Sequence, residues 1–315
     1  MEKQNRSPVR GRSSRGRGPS SLWGSLFLFV FSLPFAGVGA AVLWIVPRFD
    51  KTEFPWPFKF MFGGIFFGVG VLMAFGALRS VYQHYQRKSL AEKYPNQPWM
   101  LDYDWDVQGA IDSPAKKTSN LIIGGLAFAA FMVPFNWLIV SEGAWKFVFP
   151  AIVVGIFDCI VLFLFGLAGY HLIQAFKYGS SKIRFGKFPF FLGETMDLEW
   201  TTERPIGAFS RININLCCVE EFKTRDSDGD SKTEFREIYR QELPIEQAGV
   251  QESVVTLPIS LQLPDQPPLG TKITTLENAR YWELEIHADT PGVDYSAVFL
   301  VPVYAKLVSA SALAN

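Results

Sequence analysis

The sequence predicts an α+β membrane protein in which a four-helix transmembrane bundle is followed by an antiparallel β-sandwich. Three observations predict it. Four long apolar segments lie before residue 177, and alternating apolar and polar residues follow residue 180. Only 19% of the 315 residues are charged and 49% are hydrophobic, whereas soluble domains carry roughly 25% charged residues. The length is sufficient for two domains.

The four apolar segments cover residues 22–46, 58–81, 121–140 and 147–176. Each reaches or exceeds the roughly 20 residues that a helix needs to cross a bilayer core. The basic start and the first apolar run also resemble a signal peptide, but that run exceeds the typical length of about 7–15 residues. We therefore interpret it as a first span, and four spans place both termini on the same side.

The basic residues predict the orientation of these spans. The N-terminal tail, the segment 79–117 and the stretch after the fourth span together hold sixteen Lys and Arg residues, against four in and beside the two opposite loops. Under the positive-inside rule, both termini and the long middle loop face the cytoplasm.

These features divide the chain into four parts. Residues 1–20 form a basic disordered tail, and residues 21–178 a transmembrane domain that contains a cytosolic aromatic loop at 82–118. Residues 179–308 form a cytosolic β-domain, and residues 309–315 a disordered tail. The tail is expected to touch anionic membrane lipids, and because the net charge is zero no nucleic-acid partner is expected.

Alternation marks the strands of the β-domain. It is clear in "RININLCCV" (211–219), "VTLPISLQL" (255–263) and "YWELEIHA" (281–288). Period-two patterns separated by Gly/Pro-rich connections are typical of half-buried strands in an antiparallel sandwich.

The end of the chain resembles an arrestin-like fold, as in the sporulation-control and retromer arrestin relatives. The resemblance rests on "LPISLQLPDQPPLGTKI" (257–273) and "YWELEIHADTPGVDYSAVFLVPV" (281–303). It implies a sandwich of arrestin-like or immunoglobulin-like architecture.

A second resemblance covers nearly the whole chain. Uncharacterised bacterial inner-membrane proteins, some with a domain of unknown function of the 3592 type, share two spans, a "YP-x-x-PW…DW" loop, two further spans and a β-rich domain. The matching residues are Tyr94, Pro95, Pro98, Trp99, Asp104 and Trp105. The resemblance implies a multi-pass location in the bacterial inner membrane, and it implies no activity and no catalytic residue.

The aromatic segment "YPNQPWMLDYDW" (94–105) is the first candidate site. Tyrosine and tryptophan favour both the headgroup zone and apolar surfaces with polar partners. The segment either docks against the sandwich or a partner, or lies along the membrane interface. Its candidate residues are Tyr94, Pro95, Pro98, Trp99, Tyr103, Asp104 and Trp105.

Asp158 is the only acidic residue inside a predicted span. Placing a charged side chain at the centre of a bilayer costs roughly 2.5–3.5 kcal/mol. It therefore either serves an ion or proton site, or forms a hydrogen bond to a neighbouring helix near Asn136 or Ser32. In the second span, the spacing of Gly64 and Gly68 predicts close helix packing, within the bundle or between protomers.

A weak calcium candidate lies in "DSDGDSKTEFRE", where Asp226, Asp228, Asp230 and Glu237 match positions 1, 3, 5 and 12 of an EF-hand loop. Position 6 is Ser231, although the sharp turn needs glycine. Because the flanking residues alternate as strands, we interpret the stretch as the tip of a β-hairpin.

No catalytic motif or metal-ligand spacing links the three histidines and three cysteines, so we expect neither enzyme activity nor a cofactor. The sequence favours a membrane-anchored adaptor or complex subunit that presents the sandwich to a protein partner. The alternative is an oligomeric channel or transporter subunit that uses Asp158.

Overall fold

The computed structural model describes residues 22–45, 56–94, 97–103, 105–141, 148–207, 211–225, 231–246, 254–273 and 278–306. Internal contacts divide the chain into two compact units. The helical unit comprises Gly18–Lys88 and Lys116–Leu172, and the sheet unit includes Ser89–Ala115 and the chain from Ile173 onward. The sheet unit therefore takes in part of the predicted loop at 82–118.

Five α-helices lie in the described residues. They are α1 (Leu22–Ala40, continued by a π-helical segment at Ala41–Ile45), α2 (Trp56–Lys93), the short α3 (Trp99–Asp102), α4 (Pro114–Ser141) and α5 (Val148–Tyr178). The four long helices each contain a stretch long and apolar enough to cross a membrane.

Helix α2 continues well beyond the apolar segment that predicted it. After residue 81 it runs through a polar stretch rich in residues with high helix propensity and ends at Lys93. Tyr94 then precedes Pro95 in the sequence, and the residue before a proline is disfavoured in the α conformation. The predicted loop is thus partly helical.

Ten strands lie in the described part of the sheet unit. They are β1 (Gly109–Asp112), β2 (Ser181–Phe185), β3 (Phe190–Phe191), β4 (Thr195–Ile206), β5 (Arg211–Arg225), β6 (Ser231–Glu246), β7 (Val254–Gln262), β8 (Asn278–Ala288), β9 (Tyr295–Val301) and β10 (Val303–Tyr304). Two four-stranded antiparallel sheets have the orders β1-β2-β4-β7 and β6-β5-β8-β9, and β3 pairs with β10 in parallel.

The two four-stranded sheets share one hydrophobic core. Ile212, Ile214 and Leu216 of β5 are fully buried, as are Trp200 of β4 and Trp282 of β8, and all belong to one cluster. The alternation in "RININLCCV" and "YWELEIHA" therefore gives the inward face correctly. Because side chains alternate along a strand, one apolar face per sheet is enough to build this core.

Two strands at the sheet edges contain proline: Pro244 in β6 and Pro258 in β7. Proline has no N–H group to donate, so it is tolerated where the donor position faces away from a neighbouring strand. The two prolines are therefore compatible with edge positions in the sheets.

The adjacent cysteines of β5 point to opposite faces of their sheet. Cys218 lies in the shared core, whereas Cys217 lies in a second cluster on the outer face. Burial raises the pKa of both thiols well above the ordinary value, so little reactive thiolate is present near neutral pH.

We therefore expect both β5 thiols to resist alkylation in the folded protein. In a Cys159→Ala background, N-ethylmaleimide at pH 8 should label Cys217 and Cys218 only after denaturant is added, as measured by intact-protein mass spectrometry. Labelling of either thiol at the rate of a model peptide, without denaturant, would contradict this burial.

Candidate functional site

The aromatic segment, residues 94–105, begins at the end of α2 and contains the single-turn helix α3. The turn starts at Pro98, whose carbonyl oxygen accepts hydrogen bonds from the N–H groups of Leu101 and Asp102, each at 3.0 Å. Proline suits the first turn of a helix because it lacks the N–H that would have no partner there. Pro98 therefore starts the helical turn from which the Trp99 side chain projects.

Tyr304, at the end of the last strand, is the residue around which the aromatic segment is arranged. The ring of Trp99 lies edge-on to the ring of Tyr304 at 5.7 Å and to that of Phe191 at 5.8 Å. The indole Nε1–H group of Trp105 donates a hydrogen bond to the Tyr304 hydroxyl at 3.0 Å. The β3–β10 pairing places Phe191 opposite Tyr304, so one strand pair forms the receiving surface for both tryptophans.

Burial and a carboxylate keep the Tyr304 hydroxyl protonated. Desolvation raises the pKa of Tyr304 far above its ordinary value, and the Asp102 carboxylate, which is hydrogen-bonded to this tyrosine, raises it further. Asp102 is itself only 6% exposed. The Tyr304 hydroxyl therefore links two residues of the aromatic segment, Asp102 and Trp105.

Tyr103 and Trp105 cover the outer face of the β6-β5-β8-β9 sheet. Their ring centroids lie 4.7 Å apart, and both side chains pack against a second buried cluster. Its members are Cys217, Val219, Ile273, Tyr281 and Leu300. This apolar patch on the outer face is thereby removed from water.

The chain then adds a strand to the other sheet before it enters α4. Residues Gly109–Asp112 pair with β2 as the edge strand β1. The Asp112 carboxylate accepts a hydrogen bond from the backbone N–H of Val298 in β9 at 3.3 Å. This interaction satisfies a donor at the free edge of β9, and it links the two sheets on that side.

Three of the predicted residues, Trp99, Tyr103 and Trp105, contact strands or the buried cluster of the sheet unit. Pro98 lies next to Trp99 in the chain. Tyr94 is half-buried beneath the Lys93 ammonium group, which lies 5.2 Å from its ring centroid. Pro95 and Asp104 lie outside the described residues. The contacts of Trp99, Tyr103 and Trp105 are those of the docking interpretation, with the protein's own sheets as the receiving surface.

Sequence reasoning missed four residues of this site: Asp102, Asp112, Phe191 and Tyr304. Phe191 and Tyr304 lie in two-residue strands, which are too short to show an alternating pattern. For Asp102 the sequence did offer a clue: an acidic residue lies between Trp99 and Tyr103. An acid that is buried among aromatic residues needs a hydrogen-bond partner.

Asp158 forms a hydrogen bond with Asn136, one of the two neighbours that the sequence suggested. The Nδ2 group of Asn136 on α4 donates a hydrogen bond to Asp158 Oδ1 on α5 at 3.0 Å, and lies 3.4 Å from the carbonyl oxygen of Met132. The hydroxyl of Ser32 instead donates to the Phe29 carbonyl within its own helix. Asp158 and Asn136 therefore connect two adjacent helices of the helical unit.

The glycines that pack α1 against α2 are not the predicted pair. A Cβ atom at Gly64 or Gly68 would meet no described atom within 4 Å. A Cβ at Gly39 would lie 2.2 Å from the Phe67 nitrogen, and one at Gly70 would lie 2.4 Å from the nitrogen of Ala36. In the described residues, Gly64 and Gly68 therefore make no close contact with another helix. That they mediate helix packing, within the bundle or between protomers, stays a prediction.

The calcium candidate falls largely outside the described residues. Asp226, Asp228 and Asp230 are among the undescribed positions, whereas Glu237 lies in β6 and forms an ion pair with Arg240 at 2.9 Å. The flanking segments β5 and β6 pair as antiparallel strands up to Arg225 and Ser231. An EF-hand requires helices on both sides of its loop.

The end of α5 is held by the turn between β8 and β9. The Lys177 ammonium group donates to the Thr290 hydroxyl at 3.1 Å. It also donates to the carbonyl oxygens of Pro291 at 2.7 Å and Val293 at 2.9 Å. The Tyr178 hydroxyl donates to the Val293 carbonyl at 2.5 Å. These bonds give the turn a fixed position at the C-terminus of the helix.

The same turn brings together His287, Asp289 and Asp294, whose possible ligand atoms lie within 4.8 Å of one another. His287 Nε2 is hydrogen-bonded to Asp289 at 3.0 Å, and Asp294 accepts the backbone N–H of Thr290 at 3.1 Å. These bonds account for the arrangement, and both carboxylates are exposed, so we assign no metal here.

Comparisons with known proteins give a weak likeness. The chain matches no protein-family model and no curated protein. Among solved structures it is similar to the sporulation control protein Spo0M from Bacillus subtilis, at 17% identity and a TM-score of 0.27. The likeness covers 40% of this chain and 49% of that protein, so the chain spans about half of its length. Similarity at this level carries no argument about fold or function.

Removing the Tyr304 hydroxyl should loosen the aromatic segment. Tyr304→Phe leaves the indole N–H of Trp105 without its acceptor, and we expect a loss of about 1–3 kcal/mol in the free energy of local opening. Hydrogen exchange of residues 99–112, measured by mass spectrometry on the full chain in mild detergent, reports this opening.

The control for this experiment is Tyr94→Phe, which removes a hydroxyl from the same segment and should change exchange little. Because the two groups share one hydrogen bond, Tyr304→Phe and Trp105→Phe should together cost less than the sum of the single changes. Strict additivity would contradict the bond.

The Asn136–Asp158 hydrogen bond predicts that Asn136→Leu destabilises the helical unit more than Asp158→Asn does. Asp158→Asn keeps a carbonyl acceptor and should leave the thermal unfolding of the helical unit nearly unchanged. Asn136→Leu removes the donor and should cost about 0.6 kcal/mol and at most about 1.7 kcal/mol, the average and the maximum found for hydrogen bonds between apolar helices. Thermal unfolding in detergent, followed by circular dichroism with Cys159→Ala as control, tests this order. The reverse order would mean that the charge of Asp158 is required.

Proposed function

We propose that this protein is a non-enzymatic adaptor, or a subunit of a complex, anchored in the bacterial inner membrane. Its four apolar helices would span the membrane, with both termini in the cytoplasm. The sheet unit would be an arrestin-like β-sandwich that binds a protein partner at the cytoplasmic face. The proposal is supported by the four span-length helices, the shared core of the two sheets, and the distribution of basic residues.

The free edge of β6 is the observation that carries the proposal. Strand β6 is 16 residues long and pairs with β5 on one side, and no described strand pairs with its other side. The other edges offer less backbone. Strand β1 has only four residues, β7 has nine against the sixteen of β6, and β9 receives the Asp112 carboxylate. A long unpaired edge can accept a strand from another protein.

An exposed aromatic side chain lies on the same strand. Phe235 in β6 is 39% exposed, and among the strand residues whose side chains the structure describes only one other large hydrophobic residue, Ile111, is exposed. Its backbone neighbour across the sheet is Glu221 of β5. Aromatic side chains commonly provide much of the binding energy of a protein interface, so Phe235 would anchor a partner strand at this edge.

The aromatic segment is less suited to this role. Trp99, Tyr103 and Trp105 already contact residues of the sheet unit, and a partner would have to displace those contacts. We therefore assign the segment to positioning within the sheet unit, and we place the partner on β6.

An oligomeric channel or transporter subunit remains the alternative function. It would depend on Asp158, for which Asn136 is a hydrogen-bond partner on the next helix. A conducting pathway normally needs several polar groups along its length. Because the Asp158–Asn136 contact is also an ordinary packing contact, we favour the adaptor.

The β6 proposal predicts that Phe235→Asp abolishes partner binding while the protein stays folded. Loss of a central aromatic anchor costs about 2 kcal/mol or more, so partner recovery should fall more than about tenfold. The measurement is affinity purification of the full chain in mild detergent, with quantitative mass spectrometry and wild-type protein in parallel.

Gln262→Asp on the β7 edge is the matched control, because it places the same charge at an exposed position of a different edge strand. A stoichiometric partner that survives Phe235→Asp, or that is lost equally in the control, would refute binding at β6. A homo-oligomer without a partner in any sample would favour the channel.

A further inference from the structure

A groove of about 800 Å³ lies on the outer face of the sheet formed by β1, β2 and β4. One wall is the turn that leads into β1, and the other is the turn that follows β2. Its floor carries the outward-facing side chains of β2 and β4. The lining residues used below are Val107, Ile111, Lys182, Arg184, Lys187 and Glu199.

Two cations in this groove have no ion-pair partner among the described residues. Lys182 and Arg184 alternate with buried residues of β2 and are both exposed. Lys187 differs from them because it is paired with Glu194. Glu199 is the cross-strand neighbour of Arg184, but the two side chains form no ion pair. An anionic group could therefore approach Lys182 and Arg184 without displacing an existing pair.

Apolar side chains stand beside these cations. Val107 and Ile111 are each 61% exposed, and Ile111 lies directly opposite Lys182 in the β1–β2 register. Basic and exposed apolar residues on one surface are typical of segments that lie at the boundary between lipid headgroups and acyl chains.

Chain length keeps the groove near the ends of two apolar helices. Lys182 follows Tyr178, the last residue of α5, by four positions, and Ile111 precedes Pro114, the first residue of α4, by three. A chain spans at most about 3.6 Å per residue. Lys182 therefore lies within about 14 Å of its helix end and Ile111 within about 11 Å.

We propose that this groove binds the headgroup phosphate of an anionic phospholipid in the cytoplasmic leaflet. The inference rests on the proposed membrane location, and it adds a lipid ligand to the sheet unit. Arg184 offers a planar guanidinium that can donate two parallel hydrogen bonds to a phosphate, and Lys182 adds a second positive charge. Val107 and Ile111 face the apolar part of the lipid next to its headgroup.

The test is a titration of the delipidated full chain in mild detergent with phosphatidylglycerol or phosphatidylcholine, with bound lipid counted by native mass spectrometry. Wild-type protein should prefer phosphatidylglycerol. Each basic residue near an anionic headgroup contributes roughly a fivefold gain in affinity. Lys182→Ala/Arg184→Ala should therefore weaken phosphatidylglycerol binding roughly 25-fold.

The matched control is Arg211→Ala/Arg236→Ala, which removes the same charge from exposed positions on the other sheet. Equal binding of the two lipids, or an unchanged affinity in the Lys182/Arg184 variant, would overturn the proposal. Full competition by inorganic phosphate at the same concentration would assign the groove to a soluble anion and would also overturn it.

Failure of the lipid-binding proposal can be distinguished from failure of the proposed adaptor function. A protein that keeps its β6 partner but shows no preference for phosphatidylglycerol would refute the groove alone. A wild-type protein that is released from cell membranes by alkaline carbonate, without detergent, would refute the membrane anchor on which both proposals rest.

Discussion

The hydroxyl group of Tyr304 is the constraint on which the arrangement of the sheet unit depends. It is buried at the end of the last strand, and it is hydrogen-bonded to Trp105, 199 positions earlier in the chain, and to Asp102. Its ring also contacts Trp99. Because a buried polar group without a partner is costly, the hydroxyl and its partners hold each other in one arrangement, and the aromatic segment is fixed by the C-terminal strand.

This constraint changes which part of the chain counts as the β-domain. Sequence patterning begins that domain at residue 179, but the sheet unit also uses β1 and the aromatic segment, which lie between α2 and α4. A fragment that starts at residue 179 would lack the edge strand beside β2 and the cover of the Cys217–Leu300 cluster. The natural unit for binding studies is therefore the full chain.

The surfaces of the sheet unit differ in chemical character. The β6 edge, with which no described strand other than β5 pairs, offers backbone groups and Phe235, which suit an extended peptide. The groove at β1 and β2 offers cations and exposed apolar side chains, which suit a lipid headgroup. Strands β6 and β1 lie at the edges of different sheets. A partner and a lipid could therefore bind at the same time without competing for the same residues.

Local periodicity in the sequence is enough to predict the four apolar helices, the strands with clear alternation and the inward face of β5 and β8. The sequence identified Trp99 and Trp105 but left open their surroundings, since an amphipathic aromatic ring suits a headgroup layer and a protein surface equally well. Three features are visible only in the folded chain: both tryptophans contact Tyr304, Gly39 and Gly70 pack α1 on α2, and residues 109–112 form a strand. Each of these depends on a partner distant in sequence, and local periodicity carries no information about such a partner.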